Sequence, residues 1–276
     1  MLSNPGKEVI LKAVAQAIPI YAMSVFKIPD FLLDEIHSIF SKFWWGSTGS
    51  RRRIHWTGWE DLCLPKVFRG MRFINLKIFN VALLAKQCWR MLKEKDSLLH
   101  RVFKAKYFSK CSFLEAYTGG NASYTWRSLW GPKSLLLEGL QWRIGNGRKV
   151  KAWDDKWLQT QGVITRPFLG VEFNPDLLVH ALIDDSKEEW NAELIKLMFS
   201  AEAATEITKI PLSTRDIVDT LIWWPNKRGC FTVKTAYWLG MLGIVDYRGG
   251  NNMMEDVAWW KKVWSLNILP KMKHFL

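Results

Sequence analysis

Three tryptophan residues in this chain are each followed directly by an arginine, at positions 89–90, 126–127 and 142–143. An aromatic ring offers a flat face on which an unpaired base can stack, and a guanidinium attracts phosphate. The pairs therefore indicate contact with single-stranded nucleic acid. Tryptophan is nevertheless mostly a core residue, and a helix often places a buried ring beside a solvated arginine. Both interpretations stay open at this point.

The positive charge of the chain is concentrated in its first half. The formal net charge is +13, and residues 1–150 hold 24 Lys and Arg against 10 Asp and Glu, whereas residues 151–276 hold 15 against 16. An anionic partner is therefore expected to bind the first half, with RNA or DNA as the hypothesis, although an acidic membrane surface would satisfy the same electrostatics. The candidate phosphate ligands are Arg51, Arg52, Arg53, Lys66, Arg69, Arg90, Lys104, Lys106, Arg127, Arg143, Arg148 and Lys149.

Two adjacent acid pairs, Asp154-Asp155 and Asp184-Asp185, are the nearest approach to a catalytic motif. A two-metal polymerase or nuclease site needs several carboxylates converging on ions about 4 Å apart. Trp153 before the first pair is superficially similar to the aromatic-x-Asp-Asp turn of reverse transcriptases, but the spacer residue is missing and lysines flank the pair. A solvated turn is expected there. Serine-histidine-aspartate, phosphate-loop and zinc-helix motifs are absent, so no catalytic residue is predicted.

The cysteines and histidines predict neither a metal site nor a cofactor. Cys63, Cys88, Cys111 and Cys230 are too far apart in the sequence for zinc-knuckle spacing, and the five histidines are scattered. Buried, reduced thiols are expected, which places the chain inside the cell, in the nucleus or the cytoplasm. No stretch is apolar and long enough to span a bilayer, and no membrane partner is predicted.

Helices are predicted wherever a capping residue precedes an apolar repeat. Ser3 with Pro5 reads as a helix start, Pro19 as a break or kink, and Gly46 as a helix end. Asp30, Asn75 and Ser97 are expected N-caps. The predicted helices are 3–18, 30–46, 75–92, 97–108, 125–138, 176–183, 186–199, 201–208, 234–242 and 255–266, with a linker at 243–252.

Two small β-hairpins are predicted between these helices. Gly145-Asn146-Gly147 lies between two short apolar runs and favours a hairpin near residues 140–153. A dinucleotide loop is the disfavoured alternative, because no Gly-x-x-Gly continuation or helix follows. A second hairpin is expected over residues 220–233, with its turn at 226–229. The predicted fold class is mainly α with two small β-hairpins, that is, α+β.

Several strings resemble plant LINE-type (non-LTR) retrotransposon reverse transcriptase polyproteins, in the order in which that family carries them. Residues 53–66 (RIHWTGWEDLCLPK) and 79–92 (FNVALLAKQCWRML) are similar to conserved blocks that follow the polymerase core. The other matching strings lie at residues 2–24, 104–108, 123–128, 142–147 (WRIGNG), 229–237 (GCFTVKTAY), 260–264 and 270–276.

The resemblance implies a connector between polymerase and zinc-binding or ribonuclease H regions. Residues 1–155 would be the basic helical region after the polymerase core, 156–215 a helical linker, and 216–276 the start of a zinc-binding-type region that stops before its ligands. The family is an RNA-directed DNA polymerase, with ribonuclease H in some members, but its catalytic carboxylates would lie upstream of this chain. The chain would thus be a non-catalytic fragment that binds RNA or DNA, and its other partner would be the remainder of the polyprotein.

One stretch departs from the family pattern. The family usually has a Gly-Gly-Leu-Gly-like run where this chain has Arg69-Gly70-Met71-Arg72. Glycine adopts positive φ without steric cost, so arginine at two of these positions predicts backbone strain. The departure suggests a decaying copy. The alternative function is a structural or interaction module, or a non-functional pseudogene product, with no nucleic-acid role.

Overall fold

The computed structural model describes residues 2–47, 53–158, 174–184, 189–212 and 217–248. Helices predominate in these ranges and strands are confined to two small two-stranded sheets, which confirms the mainly α class. The α-helices are α1 (Asn4–Ile10), α2 (Ile20–Met23), α3 (Asp30–Trp45), α4 (Trp59–Cys63), α5 (Leu76–Lys93), α6 (Leu98–Tyr107), α7 (Tyr124–Trp130), α8 (Lys133–Gly139), α9 (Ala192–Met198), α10 (Ala201–Thr208) and α11 (Val233–Arg248).

The chain divides into two compact units. The first comprises Met1–Leu137 with Thr232–Leu276, and the second comprises Glu138–Phe231. The strands of the described residues lie in the second unit and are β1 (Leu140–Arg143), β2 (Ile183–Asp184), β3 (Glu189–Trp190) and β4 (Thr220–Trp223). The predicted regions 1–155, 156–215 and 216–276 stay a prediction.

Capping side chains start the helices of the first unit much as the sequence predicts. The Ser97 hydroxyl accepts from the His100 amide, and the Asn75 side chain accepts from the amides of Lys77 and Ile78. The N-terminal helix passes through a π-helical turn at Leu11–Ala15 before Pro19 interrupts it. In α3 the N-cap is Pro29 rather than the predicted Asp30, because Asp30 already has helical geometry and pairs with Lys27.

Helices α5 and α11 pack closely against each other within the first unit. The Asn75 amide donates to the Tyr237 hydroxyl over 3.1 Å, and a Cβ on Gly240 would lie only 2.9 Å from Ile78. The absence of a side chain at Gly240 therefore lets the two helices approach closely. The buried residues of α5 are Leu76, Asn80, Ala82, Leu84, Ala85, Cys88 and Met91.

Strand pairing differs from the two predicted hairpins. Strand β1 pairs with β4 in antiparallel register, Leu140 opposite Trp223 and Arg143 opposite Thr220. Residues 150–152 instead exchange backbone hydrogen bonds with residues 177–179, and residues 230–232 are not a strand. Both sites have local turn signals, but the first strands of the two predicted hairpins pair with each other. The second small sheet is the β2–β3 pair, which the sequence did not predict.

Some predicted helices are shorter, split or longer in the structure. The 176–183 helix is only a 3-10 turn at Val179–Leu182, and the 186–199 helix is reduced to α9 because β3 occupies its beginning. Pro132 separates α7 from α8 where one helix was predicted. Helix α11 continues to Arg248, into the predicted linker at 243–252, while the predicted helix 255–266 lies outside the described residues.

The Asp219 carboxylate fixes the glycine loop at residues 145–149. Asp219 is buried, and its two oxygens accept from the amides of Gly145, Gly147 and Lys149 at 2.7, 2.9 and 2.9 Å. Both glycines are sterically required, because a Cβ at Gly145 would collide with the Ile217 carbonyl and one at Gly147, where φ is +68°, would lie 2.5 Å from the His180 amide nitrogen. A buried carboxylate is stable here because three N–H dipoles replace its hydration.

The two arginines that stand where the resembling family has glycine adopt the left-handed backbone conformation. Arg69 has φ 62° and Arg72 has φ 58°, and they are the two non-glycine residues with positive φ in the described part of the chain. Gly70 between them cannot be replaced in the same way, because a Cβ there would collide with the Leu64 carbonyl. The prediction of strain at the two arginines is therefore confirmed.

We expect Asp219→Ala to lower the free energy of unfolding by about 3 kcal/mol or more, because three buried amides lose a charged acceptor. Urea denaturation measures this change, and hydrogen exchange at the Gly145 and Gly147 amides should accelerate. Asp176→Asn is the matched control, since Asp176 is 77% exposed and its ion pair with Lys151 lies at the surface. Equal effects of the two substitutions would contradict the assigned role of Asp219.

We expect Arg69→Gly and Arg72→Gly each to raise the free energy of unfolding by about 1 kcal/mol, since glycine removes the left-handed penalty. The shift of the urea midpoint at unchanged slope reports it. Arg101→Gly, on the exposed face of α6, should instead destabilise by about 1 kcal/mol. A loss of stability at both positive-φ positions would show that the arginine side chains make contacts worth more than the strain.

Candidate nucleic-acid interface

The tryptophan rings of the three Trp-Arg pairs pack inward. Trp126 is 1% exposed and stacks on Tyr107, with ring centroids 4.6 Å apart. Trp142 is half-buried against the core of the second unit, and half-buried Trp89 lies beneath the Lys93 ammonium. Core packing therefore explains these rings better than base stacking, and the phosphate-attracting part of each pair is the arginine.

The three arginines of these pairs have different surroundings. Arg127 and Arg143 are exposed, whereas Arg90 donates to Glu94 and Gln87 on its own helix. A carboxylate 3.3 Å away partly neutralises the Arg90 charge. Arg90 is therefore the weakest phosphate ligand of the three.

The other candidate residues of the first unit lie on separate elements. Lys104 and Lys106 are exposed on α6, and α7 carries Arg127 close by because Tyr107 and Trp126 stack between the two helices. Lys66 and Arg69 belong to the turn that precedes α5. Arg53 is exposed, while Arg51 and Arg52 lie outside the described residues.

The second unit carries five exposed cations on β1 and on the two connections that follow β1 and β4. Exposed Arg148 and Lys149 belong to the loop that Asp219 holds, and Arg143 ends the strand that precedes it. The Arg143 guanidinium reaches the turn after β4, where Nη2 lies 3.3 Å from the position of a Cβ on Gly229. That turn adds exposed Lys227 and Arg228. These five side chains, Arg143, Arg148, Lys149, Lys227 and Arg228, are called the loop cations below.

The sequence alone does not single out three residues of this arrangement. Asp219 directly precedes an apolar strand, and that position is the only local hint of a buried role. Lys227 and Arg228 lie in a predicted turn, but their approach to Arg143 depends on the β1–β4 pairing, which joins segments about 80 residues apart. Two local hairpins would instead leave the 143–149 cations and the 227–228 cations on separate elements.

The acid pair at residues 154–155 forms a turn, as predicted. The Asp155 carboxylate accepts from the Lys151 amide at 2.7 Å, and Asp154 is exposed. The hydrogen bond and charge of Asp176 raise the pKa of the Lys151 ammonium, which stays protonated beside the turn. Asp184 lies in β2 and Asp185 is outside the described residues. Among the described residues, no three His, Cys, Asp or Glu side chains converge on a possible metal position.

The cysteines fall into two classes, which corrects the expectation that all are buried. Burial raises the pKa of the Cys88 thiol to about 12 and also raises the pKa of the Cys63 thiol, so both stay protonated. Cys111 and Cys230 are exposed. Their position follows from the loops in which they lie, where apolar burial is not available. Across the described ranges, no helix combines the length and apolarity needed to cross a bilayer.

Two curated proteins of Arabidopsis thaliana are similar to this chain. No protein-family model and no solved structure matches it. The protein named "Putative ribonuclease H protein At1g65750" is 28% identical over the whole chain, which spans 44% of that protein's length. The "Uncharacterized mitochondrial protein AtMg00310" is 38% identical over 146 residues, which are 52% of this chain and 95% of that protein. The chain therefore belongs to the same family as the mitochondrial protein AtMg00310.

Proposed function

We propose that the chain is a non-catalytic, nucleic-acid-binding segment of a retrotransposon-type reverse transcriptase and ribonuclease H polyprotein of the LINE class. The ordered resemblance supports the family class, and the ribonuclease H name of the longer relative agrees with it. Within such a polyprotein, this segment would hold RNA or DNA by its phosphates while other regions carry the chemistry.

The arrangement of the loop cations is the observation that carries this proposal. Within the described residues none of the five has an ion-pair partner, and the Asp219 carboxylate accepts from backbone amides of the loop. The buried anion therefore orders the loop without neutralising Arg148 and Lys149. Cations held on an ordered backbone lose less conformational entropy when they bind phosphate.

Contacts of this kind favour affinity without sequence preference. Arginine and lysine bind phosphate oxygens, which are the same in every sequence, so base identity contributes little. RNA and DNA are both suitable ligands, and the strength of binding should depend on salt because bound phosphates release counterions.

We expect Arg148→Ala/Lys149→Ala to reduce the slope of log affinity against log salt by about 1.5, which corresponds to two lost phosphate contacts. Fluorescence anisotropy with a labelled RNA, titrated at several salt concentrations, measures the slope. Lys196→Ala/Lys209→Ala removes the same charge from exposed sites on and beside α9 and α10 in the same unit, and should leave the slope nearly unchanged.

An affinity that does not vary with salt would contradict phosphate binding. An equal reduction in both double variants would show that net charge acts, and not the loop. Either result would favour the alternative, a structural or interaction module, for which the buried tryptophan rings are the supporting observation.

We expect no primer extension and no cleavage of RNA–DNA hybrids above a mock preparation in magnesium buffer. The reason is that Asp154 and Asp155 form a turn flanked by Lys151 and Lys156, and in the described part of the chain no three acidic, histidine or cysteine side chains converge as two-metal chemistry needs. Asp154→Asn/Asp155→Asn is the control variant. Activity in the parent chain that disappears in this variant would refute the non-catalytic assignment.

A further inference from the structure

We propose that the first unit also binds one unpaired base, in a pocket beside the C-terminal end of α6, with the Tyr117 ring as the stacking surface. This inference rests on the proposed nucleic-acid function and names a preferred ligand, single-stranded RNA or DNA. The pocket has a volume of about 280 Å³ and is lined by Lys106, Tyr107, Tyr117, Thr118, Gly119, Asn121 and Ala122.

The Tyr117 ring is an exposed aromatic group on an anchored backbone. Tyr117 is 83% exposed, whereas the preceding residue, Ala116, is 1% exposed. The Ala116 amide donates to the Ser112 carbonyl, and the Ala116 carbonyl accepts from the Lys133 ammonium at 3.3 Å. A ring held in this way remains available to stack on a base and does not have to leave a core contact first.

The facing wall of the pocket is fixed by Tyr107. Its hydroxyl donates to Ser123 Oγ at 2.9 Å and accepts from the Ser123 amide at 3.1 Å. Ser123 in turn caps α7 through the Trp126 amide. Tyr107 also stacks on buried Trp126, so its position is set by the core of the unit.

Charge and polarity in the pocket suit a nucleotide. The Lys106 ammonium lies over the Tyr107 ring, 5.3 Å from its centroid, and supplies a positive charge for the phosphate of a bound nucleotide. Asn121 is exposed and offers an amide that both donates and accepts hydrogen bonds. No atom lies within 4 Å of a Cβ position on Gly119 or Gly120, so this side is open to a passing strand.

The size of the pocket selects the kind of ligand. Its volume is just below the range of about 300–1,000 Å³ that is typical of small-molecule sites, which suits a single base. A base in a duplex has both faces covered by its neighbours and cannot stack on a side chain. The pocket should therefore add affinity for single strands and none for duplexes.

The test compares binding of the full chain to a single-stranded RNA and to the same sequence as a duplex, by anisotropy at fixed salt. We expect Tyr117→Ala to weaken single-strand binding about tenfold, since one lost base stack is worth about 1–3 kcal/mol. Duplex binding and the salt slope should not change, and Tyr117→Phe should retain the parent affinity. Tyr21→Ala is the matched control, because Tyr21 is an 85% exposed tyrosine elsewhere in the same unit.

The outcomes separate this inference from the function on which it rests. A parent chain that binds neither RNA overturns both. A parent chain with salt-dependent binding whose Tyr117→Ala variant loses nothing, or loses the same for single strand and duplex, overturns the pocket alone. The thermal midpoint of Tyr117→Ala should equal that of the parent, since the ring is exposed, and an equal midpoint excludes unfolding as the cause of a loss.

Discussion

The carboxylate of Asp219 is the interaction on which the second unit depends. It accepts hydrogen bonds from three amides of a loop 70–74 residues earlier, directly beside the β1–β4 pairing, so loop and sheet register are fixed together. Backbone dipoles, and not side-chain cations, compensate the buried charge. The cations of the loop consequently remain exposed, which is the property that the proposed phosphate binding requires.

In the first unit, the helical geometry buries an aromatic ring and leaves the neighbouring cation in solvent. Buried Trp126 stacks on Tyr107 and has further aromatic rings around it, while Arg127, the next residue on the helix, is solvated. The helical period alone produces this separation, since adjacent residues point about 100° apart. The Trp-Arg pairs thus contribute core packing through one residue and surface charge through the next, and the ring proposed for base stacking is instead the exposed Tyr117.

The accuracy of sequence-based prediction depended on how local each interaction is. Ser3, Asn75 and Ser97 cap helices through amides two or three residues away, and these starts were predicted. The loop at 145–147 has the composition of a hairpin turn, yet its amides bind Asp219 and its flanking strand pairs with β4. Such long-range competition leaves no trace in a short sequence window, so the hairpin and the cation cluster could not be predicted together.

Some glycines of this fold are required because a Cβ would collide with the backbone, whereas other positions only favour glycine because φ is positive. At Gly70, Gly145 and Gly147 a Cβ would meet another part of the backbone, which cannot move aside without disturbing a turn or the sheet. At Arg69 and Arg72, where the resembling family has glycine, the side chain is exposed and the penalty is confined to φ. A left-handed residue costs about 1–2 kcal/mol, which a folded domain can sustain, whereas a backbone collision would require the turn to be rebuilt. The fold therefore persists through the two arginine substitutions, and each adds a cation to the turn before α5.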